Sequence, residues 1–393
     1  MNSKKPNIYA DYAATTPINL AVSARMRLVG ETAYGNPSSL HSKGLEAAAI
    51  LKESRREVAE LLGALEREII FTAGGTESVN LALFGVVRPI LKKKQKVQVI
   101  VSAIEHASVL NAAKELQSEG AEISYVSVDE QGLLRAKDVF ALIKPHTALI
   151  SILYANNEIG TVQPIAEIAK GLRKINKQRK TIGLSPVLLH TDACQAAGYL
   201  ELNTQKLGVD LMTLNGGKIY GPRQFGILYV KKDLALDPII FGGGQERGLR
   251  SGTENVAAAA GFAMALKLVQ KNRDKECKRL QKLQQYFLSI LQKEIKSVVL
   301  NGPPPGPLRL PNNINISIKE GDGESMVIYL DAAGILCSTG SACSTAFTEP
   351  SHVILAISNQ SLDRARSSLR FSFGNATTKK GIDYILSVLK NII

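Results

Sequence analysis

Asp192 and Lys218 stand 26 residues apart, each just past a short run of β-branched and aliphatic residues. A carboxylate and an amine brought to neighbouring strand ends can form an ordinary salt bridge. They are also the pair that pyridoxal phosphate requires: an amine to condense with its aldehyde, and an acid to keep its ring nitrogen protonated so that the ring acts as an electron sink. Two further features favour the second reading. Thr72-Ala-Gly-Gly-Thr76-Glu-Ser78 is a glycine loop running into a helix start, where exposed N–H groups and the positive helix end suit a phosphate. His106, in Ile104-Glu-His-Ala107, offers a flat imidazole that can stack on a ring or move protons. Each is commonplace alone, a helix cap or a hydrogen-bonded histidine; with Asp192 and Lys218 they describe a cofactor site.

The elements that must position these groups follow from the pattern. Strand-like runs at Ile69–Phe71, Val97–Val101, Ile123–Val128, Ala148–Tyr154, Val187–His190, Asp210–Leu214 and Gly226–Val230 alternate with helical patterns from about Thr76, Ser108 and Arg135. Several runs are apolar throughout, as strands covered on both faces are. The alternation predicts an α/β domain with a largely parallel sheet, whose ligands bind beyond the carboxyl ends of the strands. After Asn255 an Ala-rich helix runs from Val256 through Lys267 towards Leu291, followed by a Pro/Gly break at Asn301–Leu308 and a strand at Asn313–Ile318. This predicts a large unit, 17–260, and a smaller α+β unit made of 1–16 and 261–393.

At 393 residues with 45% hydrophobic content, the chain can bury a full core without disulfide staples. Its four cysteines, Cys194, Cys277, Cys337 and Cys343, include no Cys-x-x-Cys pair, which argues against a secreted disulfide scaffold. No window approaches a membrane span, and no apolar signal core or transit segment opens the sequence, so a cytoplasmic protein is expected. The formal charge of +13 is spread over Lys92–Lys96, Lys170–Lys180 and Lys267–Lys282, each at helical spacing. With no Trp and 5% aromatic residues, these read as solvated helix faces and not as a nucleic-acid surface.

The motifs resemble a known family. Tyr9-x-Asp11-Tyr-Ala-Ala-Thr-Thr-Pro17, Gly35-Asn-Pro-Ser-Ser39-x-His41, Phe71–Ser78, Glu105-His106, Asn156-Asn-Glu-Ile-Gly160, Asp192-Ala-Cys-Gln195 and Lys218-Ile-Tyr-Gly-Pro222 occur in order, followed by Gly242–Thr253, Ser338–Cys343 and Ser368–Gly374. Together they are similar to cysteine desulfurases of the NifS/IscS type, in the class V aminotransferase group of fold-type-I pyridoxal-phosphate enzymes. The resemblance spans nearly the whole chain and implies a mostly parallel seven-stranded sheet plus a smaller α+β domain. It also implies removal of sulfur from L-cysteine, giving L-alanine and a persulfide on Cys343. That sulfur would pass to an iron–sulfur scaffold or a sulfur-relay protein.

Carried over by position, the resemblance assigns Lys218 as the lysine that condenses with the cofactor, Asp192 to the ring nitrogen and His106 to the ring face. It sets Gln195 near the ring hydroxyl, Asn157 between ring and substrate carboxylate, Gly75 and Thr76 on the phosphate, and Arg370 on the substrate carboxylate. Thr253 would reach the phosphate of a partner subunit, which implies a homodimer. Cys343 lies in the small-residue stretch Gly340-Ser-Ala-Cys-Ser-Thr-Ala, expected to be a mobile loop able to carry a thiol between substrate and acceptor. No resident metal is expected, since Cys337 and Cys343 lack further ligands nearby; a bridging role for Cys343 with a partner's cluster stays open.

The sequence departs from the family pattern at Asn215-Gly216-Gly217, where Ser-Gly-His is usual before the lysine. Asn215 can still donate through its amide, whereas Gly217 offers only a backbone N–H. The change predicts looser retention of the cofactor. Gln224 also replaces a usual glycine. Selenocysteine lyase needs the same residues and stands as the alternative activity. A basic protein docking transfer RNA and an inactive homologue are the other readings, and the presence of Lys218, Asp192, His106 and Cys343 weighs against the last.

Overall fold

The computed structural model describes residues 7–340 and 350–392. Its strands are β1 (Ile8–Tyr9), β2 (Ile69–Thr72), β3 (Gln98–Ser102), β4 (Glu122–Val126), β5 (Thr147–Ser151), β6 (Leu188–Asp192), β7 (Leu211–Asn215), β8 (Gly226–Val230), β9 (Val298–Leu300), β10 (Asn313–Ile318), β11 (Ile335–Leu336) and β12 (Ser368–Ser372). The helices that matter here are α1 (Ser42–Leu62), α2 (Gly75–Lys92), α3 (Ala107–Ser118), α4 (Ile165–Thr181), α5 (Val256–Glu294) and α6 (His352–Ile357).

Seven strands form one sheet in the order β2-β8-β7-β6-β5-β3-β4. Only β8 runs against its neighbours; the other pairings are parallel. Every strand expected from the apolar runs is present, and the α/β fold with a mostly parallel sheet is the one found. The runs are continuous because successive residues enter two different cores. Phe71, Ile100, Ile150, Leu189 and Met212 belong to one, while Ile70, Val99, Val101, Leu149 and Leu211 belong to the other. Burial on both faces removes the polar alternation that a half-exposed strand shows.

The parallel arrangement, with β8 reversed, sends the carboxyl ends of β2, β7, β6, β5 and β3 to one edge. The smaller sheet, β12-β10-β9, is antiparallel, and β1 pairs with β11 beside it. Helix α5 serves both regions. Phe262 and Leu266 at its start pack into the large-sheet core, and Leu280, Phe287 and Leu291 pack into the core under β10 and β12.

The basic clusters lie on helices and the turns that follow them, most of them exposed, as expected. Arg179 at the end of α4 is the exception. It is buried, and its guanidinium donates to the carbonyls of Lys144, Pro145, Thr147 and Ser185, locking the turn before β5. No helix among the described residues is long and apolar enough to cross a membrane.

His190, in the middle of the sheet, sits between Ser151 Oγ (2.8 Å) and Thr213 Oγ1 (3.0 Å). Burial lowers its pKa to about 4, against the opposing pull of Asp192. Between that value and about 6.5 the unfolded chain binds a proton that the native chain refuses, so this residue's contribution is present at neutral pH and lost as pH falls. The shift corresponds to roughly 3 kcal/mol. Urea unfolding at pH 7 and pH 4.5 should show His190→Gln losing less stability on acidification than the unsubstituted protein. Equal losses would contradict the assignment.

Candidate active site

A cavity of about 180 Å³ opens at the carboxyl edge of the large sheet. Gly75, Thr76, His106, Asn157, Asp192, Gln195, Asn215, Lys218 and Arg370 all line it. Five strand ends supply most of them. Gly75 and Thr76 follow β2, His106 follows β3, Asn157 follows β5, Asp192 ends β6, and Asn215 ends β7. Lys218 closes the short turn Gly216–Lys218. Only Arg370 comes from the other sheet, on β12.

At the start of α2 the chain turns through Gly74, whose φ of +140° favours glycine. A Cβ on Gly75 would stand 2.9 Å from Cys194 Sγ, so only glycine lets this backbone come so close. The first N–H groups of α2 have no partner four residues back, which leaves them directed at the cavity end of the helix. Beside them Asn215 uses its Oδ1 to accept from Gly217 N–H at 3.0 Å, leaving its Nδ2 as the donor. That N–H of Gly217 is therefore engaged, and Gly217 does not line the cavity.

Lys218 Nζ donates to the carbonyls of Ala13 (2.9 Å) and Ala14 (2.6 Å), and Gln195 Nε2 donates to Ala13 as well. Asp192 Oδ1 accepts from Cys194 N–H at 2.9 Å, which orients the carboxylate at the strand end. His106 caps α3, its Nδ1 accepting from Ser108 N–H at 3.1 Å. Next to it Glu105 is fully buried, its Oε1 accepting from Leu153 N–H at 2.8 Å. Burial, reinforced by the charge of Asp192, holds the Glu105 carboxyl well above the usual carboxylate range.

Arg370 is 2% exposed; its guanidinium pairs with Asp11 Oδ1 at 2.8 Å and donates to Asn157 O at 3.2 Å. Its Nε is buried and has no hydrogen-bond partner among the described residues. An incompletely satisfied guanidinium facing a cavity is the group a carboxylate would complete.

Three of the cysteines are poor nucleophiles. Burial pushes the Cys337 thiol up to about 12, Cys277 up to about 11, and Cys194 well above its ordinary value. Cys343 lies outside the described residues. Thr253 is exposed and lines a separate cavity of about 170 Å³ with Gln224 and Arg250. Gln224 has a φ of +53°, a left-handed conformation that glycine adopts freely and other residues adopt at a cost of about 1 kcal/mol. This explains why glycine is usual there. Among the described residues there is no cluster of three or more His, Cys, Asp or Glu able to hold a metal.

Sequence reasoning gave no role to Asp11 or to the carbonyls of Ala13 and Ala14. The carbonyls carry no side-chain signal, and Asp11 stands 359 residues from the arginine that it holds.

The donor set fits pyridoxal phosphate: a helix-end cradle, an amine and a carboxylate on adjacent strands, and a buried arginine across the cavity. Fold and cavity together define a fold-type-I enzyme of the class that uses this cofactor. The chain belongs to the class-V aminotransferase family, whose model (Aminotransferase class-V) matches residues 8–385. It is 42% identical over 389 residues to a cysteine desulfurase IscS of Dictyoglomus turgidum, covering 99% of this chain and 95% of that one. It is 40% identical over 385 residues to cysteine desulfurase IscS 1 of Archaeoglobus fulgidus, covering 98% and 96%. Its backbone is similar to that of a solved NifS-like protein with a TM-score of 0.89 at 33% identity, covering 98% and 99% of the two chains.

The Asp11–Arg370 contact makes a direct prediction. Asp11→Ala leaves a buried guanidinium with one carbonyl, and should cost roughly 3 kcal/mol. Denaturant unfolding measures it, and a loss under about 0.5 kcal/mol, the scale of an ordinary surface change, would show that the pair is not needed.

Proposed function

We propose that this protein is a cysteine desulfurase that uses pyridoxal phosphate, with L-cysteine as sulfur donor and Cys343 as first acceptor. The observation that carries the reading is the convergence of Lys218, Asp192, His106 and Arg370 on one cavity at the sheet edge. The names of its relatives support the activity.

Gly75, Thr76 and Asn215 would hold the cofactor phosphate, with Asp192 and Gln195 on the ring and His106 beside it. When bound, the cofactor supplies an electron-withdrawing ring that acidifies the substrate Cα–H and weakens its Cβ–S bond. Arg370 clamps the substrate carboxylate through its planar fork, and Asn157 completes that grip. Lys218 takes the Cα proton, since its amine already sits at the cavity wall against Ala13 and Ala14. The Cys343 thiolate then attacks the substrate sulfur. An S–S bond forms, the Cβ–S bond breaks, and its electron pair stays with the carbon fragment, which takes up a proton at Cβ, regains at Cα the proton that Lys218 had taken, and leaves as L-alanine. Cys343 retains the sulfur as a persulfide, dividing one hard transfer into two easier ones.

The persulfide then passes to an acceptor of the iron–sulfur scaffold or sulfur-relay kind. A thiol that must stay reduced between turnovers fits a cytoplasmic setting. We take the enzyme to be a homodimer, with Thr253 directed to the partner subunit's phosphate site; its position outside the cavity of its own chain is compatible with that. The separate cores support the division into a large unit, 17–260, and a smaller one, 1–16 with 261–393, in outline, but Phe262–Leu266 pack with the large sheet, so the seam falls later along α5, between Leu266 and Leu280.

Cys343→Ala should reduce alanine formation from L-cysteine by at least about a hundredfold, while the visible absorbance of the bound cofactor is unchanged. Loss of both signals would contradict the role given to Cys343.

A further inference from the structure

The two cations lining the cavity both have other tasks. Lys218 rests on two carbonyls and Arg370 is tied to Asp11. A phosphate monoester carries close to two negative charges at neutral pH. The start of α2 offers it N–H groups but no cation, because Glu77 in the first turn engages Arg250 at 3.0 Å.

Beyond Asn215 from that helix start lies Gly217, which has no side chain to add a donor. Asn215 lies between the two places: its Nδ2 is 3.5 Å from where a Cβ on Gly75 would stand, and its Oδ1 is 3.5 Å from the same point on Gly217. The next nearest atoms to a Gly217 Cβ are Thr15 Oγ1 at 3.8 Å and Arg223 Cγ at 3.9 Å. The stem of Arg223 thus forms one wall of the space that a side chain at 217 would fill. Arg223 is exposed and makes no ion pair among the described residues. Its charge is felt nearby: burial raises the pKa of the Tyr9 hydroxyl, Arg223 opposes that rise, and the hydroxyl donates to Thr15 O at 2.8 Å.

We propose that Arg223 is a phosphate-holding residue of this site, supplying across the Gly217 gap the donor and charge that position 217 lacks. The inference rests on the cofactor reading above and offsets the looser retention that Asn215-Gly216-Gly217 alone predicts.

The test is equilibrium binding of pyridoxal phosphate, and of pyridoxal without its phosphate, to the full chain, read by absorbance and by retention on dialysis. Arg223→Met keeps the stem of an exposed side chain and removes its charge. It should weaken pyridoxal phosphate binding by about tenfold or more and leave pyridoxal binding unchanged. Adding Gly217→His, whose Cβ would make only ordinary contacts, should restore most of the loss, and Arg223→Lys should show a smaller one. Unchanged pyridoxal phosphate affinity in Arg223→Met, or equal weakening of both ligands, would overturn the inference while leaving the cofactor reading intact. Failure of the unsubstituted protein to bind pyridoxal phosphate would overturn both.

Discussion

A guanidinium taken out of water must be paired, and the pairing of Arg370 with Asp11 organises much of this molecule. Arg370 sits on a strand of the small sheet, and Asp11 opens the segment that runs to Thr16. The same segment gives the carbonyls of Ala13 and Ala14 to Lys218, and Thr16 bonds through its N–H and hydroxyl to Gly217 O. One short stretch of chain therefore sets the substrate-side arginine and the lysine relative to each other. The two groups hang from different sheets, and this strap adds to the contacts of Arg370 with Asn157 and of Gly160 with Leu310 in fixing their separation.

The large sheet contributes the rest by topology. Parallel strands deliver their carboxyl ends to a common edge, and each of the five strand ends that reach the cavity carries one or two groups of the site. The buried polar groups under the edge are satisfied in a way that leaves the chemistry above them undisturbed. His190 is held neutral between two hydroxyls, and the protonation of Glu105 is favoured by its burial. Cys194, Cys277 and Cys337 are kept as thiols by burial, so sulfur chemistry has one remaining candidate in the chain.

The large sheet was readable from the sequence because strands buried on both faces are continuous apolar runs, and all seven stood out. The short strands β1, β9 and β11 were not, since two or three residues carry no periodicity. Of the site, Lys218, Asp192, His106 and the loop at Gly75 and Thr76 could be named from residue chemistry, while Asn157, Gln195 and Arg370 followed only from the family resemblance. What could not be read was the work of backbone carbonyls at Ala13 and Ala14, the long-range partnership of Asp11, and the positive φ that explains glycine's usual place at position 224. These depend on tertiary placement, which side-chain chemistry does not announce.

The central claim is that sulfur from L-cysteine lands on Cys343. Brief reaction of the protein with L-cysteine and pyridoxal phosphate, followed by alkylation of thiols and peptide mass mapping, addresses it directly. The account predicts one added sulfur on the peptide containing Cys343 and none on those containing Cys194, Cys277 or Cys337. An added sulfur on any of those three instead, or alanine released with no persulfide on the protein, would contradict it.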